Sequence, residues 1–233
     1  MPRDSRGRPI QASQLHSKKL QLSFPVHYQI SDNYYNLSKE ELTHQRVYVL
    51  LHGMGNDALF MEEKIGKKIR EYRKDDITLS LDAPFPIKHP KKNQYGKAWY
   101  FYNSETSEYL ITQDYPTSLI ICLLKELKLD QSNITFIGYS QGGYLAPFVA
   151  QELSSCKRII TIAACIRHEY LNKALNFKID CIHGEYDTIV DYKNAKESHT
   201  QSLKKSLGGD FHTIKNEHHR LTLPLIKKLL QIL

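Results

Sequence analysis

A serine hydroxyl is a useful nucleophile at neutral pH only when a neutral imidazole can take its proton, and that imidazole needs a carboxylate to fix its tautomer. Ser140 is set up for such a role. The run Ile134-Thr-Phe-Ile-Gly-Tyr-Ser-Gln-Gly-Gly143 is apolar and β-branched up to the serine, has Gly138 and Gly142 on either side of it, and continues into a segment of helical spacing. The pattern predicts a strand, a sharp turn and a helix with Ser140 at the apex, where side chains at the two glycine positions would collide. Downstream, His183-Gly-Glu-Tyr-Asp-Thr-Ile-Val190 and the following Asp191 offer three carboxylates, Glu185, Asp187 and Asp191. His218 and His219 come next, so a base and an acid both lie after the serine.

These side chains need elements to carry them. Residues 46–52, 76–82, 133–139, 158–163 and 178–183 are nearly continuous apolar runs, as strands buried on both faces should be, and residues 211–214 suit a short last strand. Helical spacing falls at 58–72, 117–129 and 192–207, and Thr222 is expected to cap a closing helix with Pro224 near its start. Residues 20–30 suggest edge strands around Pro25, residues 33–45 a polar turn with a short capped helix at Ser38, and residues 83–90 a proline-rich loop. Pro147 is expected to bend the helix after Ser140 near Gly143. Strands alternating with helices imply an α/β fold with a mainly parallel, doubly wound sheet flanked by helices on both faces. In such a sheet reactive groups gather at the carboxyl ends of strands, and His52-Gly53, Ser140, Asp187 and His218-His219 all fall just after one.

A chain of 233 residues suits this plan, with residues 1–18 as a flexible basic tail and residues 19–233 as one domain. The basic start lacks an apolar segment behind it, so it does not read as a secretory signal, and no apolar run approaches the ~20 residues of a membrane helix. Cys122, Cys156, Cys165 and Cys181 form no Cys-x-x-Cys pair; they suit reduced packing thiols in the cytoplasm. The net charge of +7 comes from scattered lysines, which suits a solvated surface rather than a nucleic-acid or membrane patch. The histidines show no metal-ligand spacing, so neither a metal nor another cofactor is expected.

Five blocks give the chain a specific resemblance: Leu51-His-Gly-Met-Gly55, Ala83-Pro84 with Ala98-Trp-Tyr100, Gly138-Tyr-Ser-Gln-Gly-Gly143, His183-Gly-x-x-Asp-x-x-Val190, and a histidine before the final helix. In this order they resemble the phospholipase/carboxylesterase family of α/β-hydrolases, which includes acyl-protein thioesterases. The resemblance implies an α/β-hydrolase fold with Ser140 as nucleophile, Asp187 as orienting acid and His219, three residues before Thr222, as base. It implies an oxyanion hole from the backbone N–H groups of Met54 and Gln141, and a substrate-binding aromatic pair, Trp99 and Tyr100. His52 precedes the nucleophile and is expected to hold the oxyanion loop. The chain departs from the family at Phe101, where the pattern has aspartate, and in its first 45 or so residues, which carry no family block.

The reading is therefore a serine hydrolase that cleaves carboxylic esters or thioesters through an acyl-enzyme, acting on small-molecule esters with an uncharged acyl part. A homodimer stays open. The alternatives are a non-catalytic relative that binds a ligand in the same pocket, which would not need an intact reactive set, and a small peptidase or amidase.

Overall fold

A computed structural model describes residues 26–88, 95–103, 105–106, 108–171 and 174–233. The expected tail at 1–18, the start of the first expected edge strand and the end of the proline-rich loop lie outside the described residues. In chain order, the strand β1 (Tyr28–Ile30), the capped helix α1 (Lys39–His44) and β2 (Arg46–Leu51) come first. A helical stretch of α2 (Ala58–Met61), a π-helical turn (Glu62–Gly66) and α3 (Lys67–Tyr72) leads to β3 (Ile77–Leu81). Two hairpins, β4 (Phe85–Lys88) with β5 (Tyr95–Ala98) and β6 (Phe101–Asn103) with β7 (Glu108–Ile111), precede α4 (Asp114–Glu126). The remainder alternates except between β9 and β10, which a short 3-10 turn (His168–Tyr170) joins: β8 (Asn133–Tyr139), α5 (Gln141–Ala150), β9 (Cys156–Ile162), β10 (Lys178–Gly184), α6 (Tyr192–Leu203), β11 (Phe211–Ile214) and α7 (Leu223–Ile232).

Seven strands form one sheet in the order β1-β3-β2-β8-β9-β10-β11, parallel throughout except for antiparallel β1. Because successive side chains of a strand point to opposite faces, each central strand feeds two cores. Val47, Val49 and Leu51 of β2 join Ile134 and Phe136 of β8 beneath α4 and α5, packed on Ile120, Leu124, Leu145 and Val149. Tyr48 and Leu50 join Ile137 and Tyr139 on the other face, against Met61, Ile65 and Ile69 and against Leu225, Ile226 and Leu229 of α7. Each fully buried Leu, Ile or Val contributes about 1.5–3 kcal/mol relative to exposure, so this double-sided burial fixes which strand ends meet. From β2 the chain steps outward to β3 and then back across to β8 on β2's other side. That reversal opens a crevice between the carboxyl ends of β2 and β8, where Leu51 pairs with Gly138.

Several local expectations change. The proline-rich loop is the first strand of a hairpin, with Pro86 opposite Lys97, because a two-stranded edge has hydrogen-bonding positions that do not need its N–H. Pro147 is buried within α5, which runs on to Ala150. α4 starts earlier and stops earlier than its spacing suggests, since Lys128 takes a left-handed φ of 57°. α6 ends at Leu203, short of the expected 207. Thr222 is at the head of α7, yet its hydroxyl donates to Glu217 at 2.7 Å and does not cap the helix. Cys122, expected to pack, is exposed on α4, and all four cysteines are free thiols.

Candidate active site

β8 delivers Ser140 into a backbone conformation that few residues other than glycine adopt, φ 49° and ψ −118°. The turn is held from both sides: the Ser140 N–H donates to the Ile162 carbonyl at 2.8 Å, and the Ser140 carbonyl accepts from the amides of Gly143 and Tyr144. The chain crosses itself so closely that a Cβ at Gly138 would meet the Gly142 carbonyl oxygen at 2.3 Å, and one at Gly142 the Leu51 oxygen at 2.3 Å. Both glycines are therefore demanded by contact with backbone.

The loop after β11 brings His219 to this turn, with Nε2 3.0 Å from Ser140 Oγ. The Tyr139 hydroxyl donates to the His219 carbonyl at 3.2 Å and its ring lies 5.8 Å from the imidazole, which fixes the ring's position. On the far side, His219 Nδ1 is 2.8 Å from Asp187 Oδ2. With Asp187 ionised, Nδ1 carries the proton and Nε2 presents its lone pair to the serine hydroxyl. The Asp187 side chain is fully buried, whereas His219 keeps 16% exposure. Burial alone would raise the Asp187 pKa, but hydrogen bonds from His219 and from the amides of Val190 and Ile189, each 2.9 Å from Oδ1, outweigh it and hold the carboxyl below its ordinary range. His183 Nε2 donates to the Val190 carbonyl at 2.9 Å and lies 3.4 Å from Asp187 Oδ2. It braces both ends of the acid loop, and burial keeps it neutral by lowering its pKa.

The neighbouring candidates are elsewhere. His218 is exposed and its Nδ1 donates to the Tyr186 carbonyl at 2.9 Å. Asp191 accepts the Asn194 amide as the N-cap of α6, and Glu185 is exposed.

Ser140 opens into a cavity of about 380 Å³ that Met54, Gln141 and Tyr100 also line. Among the described residues, the backbone N–H groups of Met54 and Gln141 make no hydrogen bond within the chain. The Met54 turn is clipped to β5, Gly55 N–H donating to the Lys97 carbonyl at 2.8 Å and Lys97 N–H to the Asn56 carbonyl at 3.0 Å. His52 is completely buried beneath it: Nδ1 donates to the Gly53 carbonyl at 2.8 Å and Nε2 accepts the Ala83 amide at 3.0 Å. Burial lowers its pKa, so the imidazole stays neutral as a two-ended strut.

Trp99 does not line the cavity. It is fully buried behind the wall, with its indole N–H on the His52 carbonyl at 2.8 Å. The Gln141 side chain accepts the Trp99 amide at 2.9 Å and donates to the Tyr100 carbonyl at 2.8 Å, tying the aromatic segment to the head of α5. Neither this clamp nor the His183 brace has a spacing signal of its own, although both residues belong to the blocks quoted above. A larger cavity, about 640 Å³, opens beside the β4–β5 hairpin around Pro84, Phe85 and Tyr115. Size does not select it as the candidate site, because Ser140 lines the smaller one. Elsewhere, Asp180, Asp210 and His212 approach one another, but the Asp180 carboxylate is already engaged by Arg158 at 2.5 Å and by the Asp210 amide at 2.9 Å.

Solved structures with the same fold include esterase PE8 (TM-score 0.66, 18% identity, covering 81% of this chain and 91% of that one). A Bacillus cereus carboxylesterase aligns with TM-score 0.65 at 16% identity, over 89% of this chain and 92% of that one. Zea mays acyl-protein thioesterase 2 gives 0.66 at 13%, over 89% and 96%. No curated protein sequence matches the chain. The sequence profile of the Phospholipase/Carboxylesterase family matches residues 33–233, and the chain belongs to that family.

Proposed function

We propose that this protein is a serine hydrolase that cleaves carboxylic esters or thioesters through an acyl-enzyme. The observation that carries the reading is the continuous hydrogen-bonded row from Ser140 Oγ through His219 to Asp187. In the first half-reaction Ser140 Oγ attacks the substrate carbonyl carbon and His219 Nε2 takes the hydroxyl proton. Asp187 stabilises the imidazolium. The carbonyl oxygen becomes an oxyanion held by the Met54 and Gln141 amides, a type of donor worth about 2.7–4 kcal/mol each in transition-state stabilisation. The tetrahedral species collapses, the carbon–oxygen or carbon–sulfur bond to the leaving group breaks, and His219 returns its proton to that alcohol or thiol. Water then repeats the sequence on the acyl-enzyme and releases the acid.

Tyr100 forms the wall beside the acyl group, and Trp99 supports it from behind. We place the reaction in the cytoplasm, a reading supported by the four free thiols. The test is a panel of esters and thioesters of graded acyl length offered to the purified protein and to Ser140→Ala. Turnover by the wild type and a fall of several orders of magnitude in the variant are expected; equal rates in the two would remove the assignment.

A further inference from the structure

The cavity that Ser140 opens into carries one formal charge among its described lining residues, the guanidinium of Arg167. Its other walls are aromatic or apolar, chiefly Tyr100, Phe101, Tyr109 and Tyr144. Arg167 is built in rather than draped over the surface. Its guanidinium carbon lies 5.2 Å from the Tyr170 ring centroid and 5.8 Å from that of Tyr102, which suits cation–π contact with both. The loop that carries it leaves the carboxyl end of β9 and is pinned to α6 and the turn after it: Ile166 N–H donates to Ser198 Oγ at 3.0 Å, and Lys205 Nζ donates to the carbonyls of His168 and Leu171. Arg167 Nε donates to Glu169 at 2.6 Å, but that carboxylate is 45% exposed, so water weakens the pair and a substrate anion can compete for the guanidinium. The Tyr102 side chain hydrogen-bonds the guanidinium as well, and the five-donor fork still has N–H groups beyond those two bonds. A partly buried cation among tyrosines favours an anion, and its planar fork matches a carboxylate.

We infer that Arg167 is a specificity-determining residue that selects substrates bearing a carboxylate on the ester being cleaved. The uncharged acyl part expected from sequence then holds only if the carboxylate is on the leaving group. It rests on the serine-hydrolase reading above, since the bound carboxylate is useful only if the scissile carbonyl then reaches Ser140.

The test compares wild type, Arg167→Gln and Arg167→Lys on three esters: neutral 4-nitrophenyl butyrate, the 4-nitrophenyl monoester of glutarate with its anion on the acyl side, and 4-carboxyphenyl butyrate with its anion on the leaving group. Arg167→Gln should lower kcat/KM about tenfold or more for at least one anionic ester while changing the neutral ester less than twofold, and Arg167→Lys should restore part of the loss. The arm that responds tells which side of the substrate faces Arg167, and the neutral ester reports that the variants are folded. An anionic-to-neutral ratio that is the same in all three proteins overturns the inference. If the wild type cleaves none of the three and a fluorophosphonate does not label Ser140, it is the hydrolase reading that fails. Titration calorimetry with glutarate then decides for Arg167 alone: weaker binding to Arg167→Gln supports the site, and equal binding or none to wild type overturns it.

Discussion

Asp187 and Asp191 occupy one loop, and their surroundings divide their tasks. Asp187 is buried against His219, while Asp191 caps α6 at the surface. Asp187→Asn keeps the shape but supports the wrong imidazole tautomer, and it should lower kcat by about 10⁴, the magnitude known for the corresponding change in a serine protease. Asp191→Asn should leave kcat unchanged, since asparagine also caps, and Asp191→Ala should remove about 0.5–2 kcal/mol of stability. Steady-state kinetics alongside urea denaturation separates the two effects; a kcat loss confined to Asp191→Asn would contradict the assignment. The same logic divides the histidines, with His219→Ala inactive and His218→Ala close to wild type, measured as kcat on any cleaved ester. At this scale the motif blocks make the reactive residues legible, because each is confined to one position by a turn. Trp99 and Arg167 are less legible. Whether an aromatic faces a cavity or stands behind its wall depends on packing that spacing does not encode, and Arg167 enters the site from a loop with no motif.

Elements set these positions, and their legibility follows burial. β2, β8 and β10 read directly as strands because both faces are covered and the apolar run is unbroken. The two hairpins between β3 and α4 do not, since Phe85-Pro-Ile-Lys88 alternates over only four residues and contains a proline. Their placement nevertheless matters, because β5 clips the Met54 turn and the segment between the hairpins is clamped by Gln141. Gln141→Leu removes both side-chain bonds and leaves the part-buried Trp99 amide unpaired. It should cost about 1–3 kcal/mol of stability and lower kcat/KM as Tyr100 loosens. Urea midpoints and kinetics check this, and a variant as stable and as active as wild type would show that the clamp holds nothing.

Over the whole molecule, the reversal of strand order sets the Met54 turn after β2 beside Ser140 after β8, and the parallel order β8-β9-β10-β11 brings the loops carrying Asp187 and His219 to the same, carboxyl, edge of the sheet. Alternation of strands and helices makes that architecture legible in sequence, while the strand order itself arises from long-range pairing. The same burial gives the fold a pH dependence. Burial lowers the pKa of His52 and His183, so the fold disfavours protonating these imidazoles. The unfolded chain binds their protons from about pH 6.5 downward, so below that pH it holds more protons than the native state and stability falls with acidification. The slope is at most about 1.4 kcal/mol per pH unit for each histidine. Asp187, held below its ordinary range, contributes stability that is intact above about pH 4 and is lost below it, as the pH falls through its folded value. Urea midpoints should therefore decline between pH 6.5 and 4.5 with the carboxylate still paired, and a flat profile there would contradict neutral buried histidines.

In the proposed mechanism Ser140 forms the covalent bond to the acyl group. Intact-protein mass spectrometry after exposure to a fluorophosphonate, followed by peptide mapping, tests it most directly. A single adduct is expected on the wild type, located on Ser140, and none on Ser140→Ala at equal concentration and with an unchanged circular dichroism spectrum. Labelling of Ser140→Ala to the same extent, or an adduct on another residue of the wild type, would contradict it.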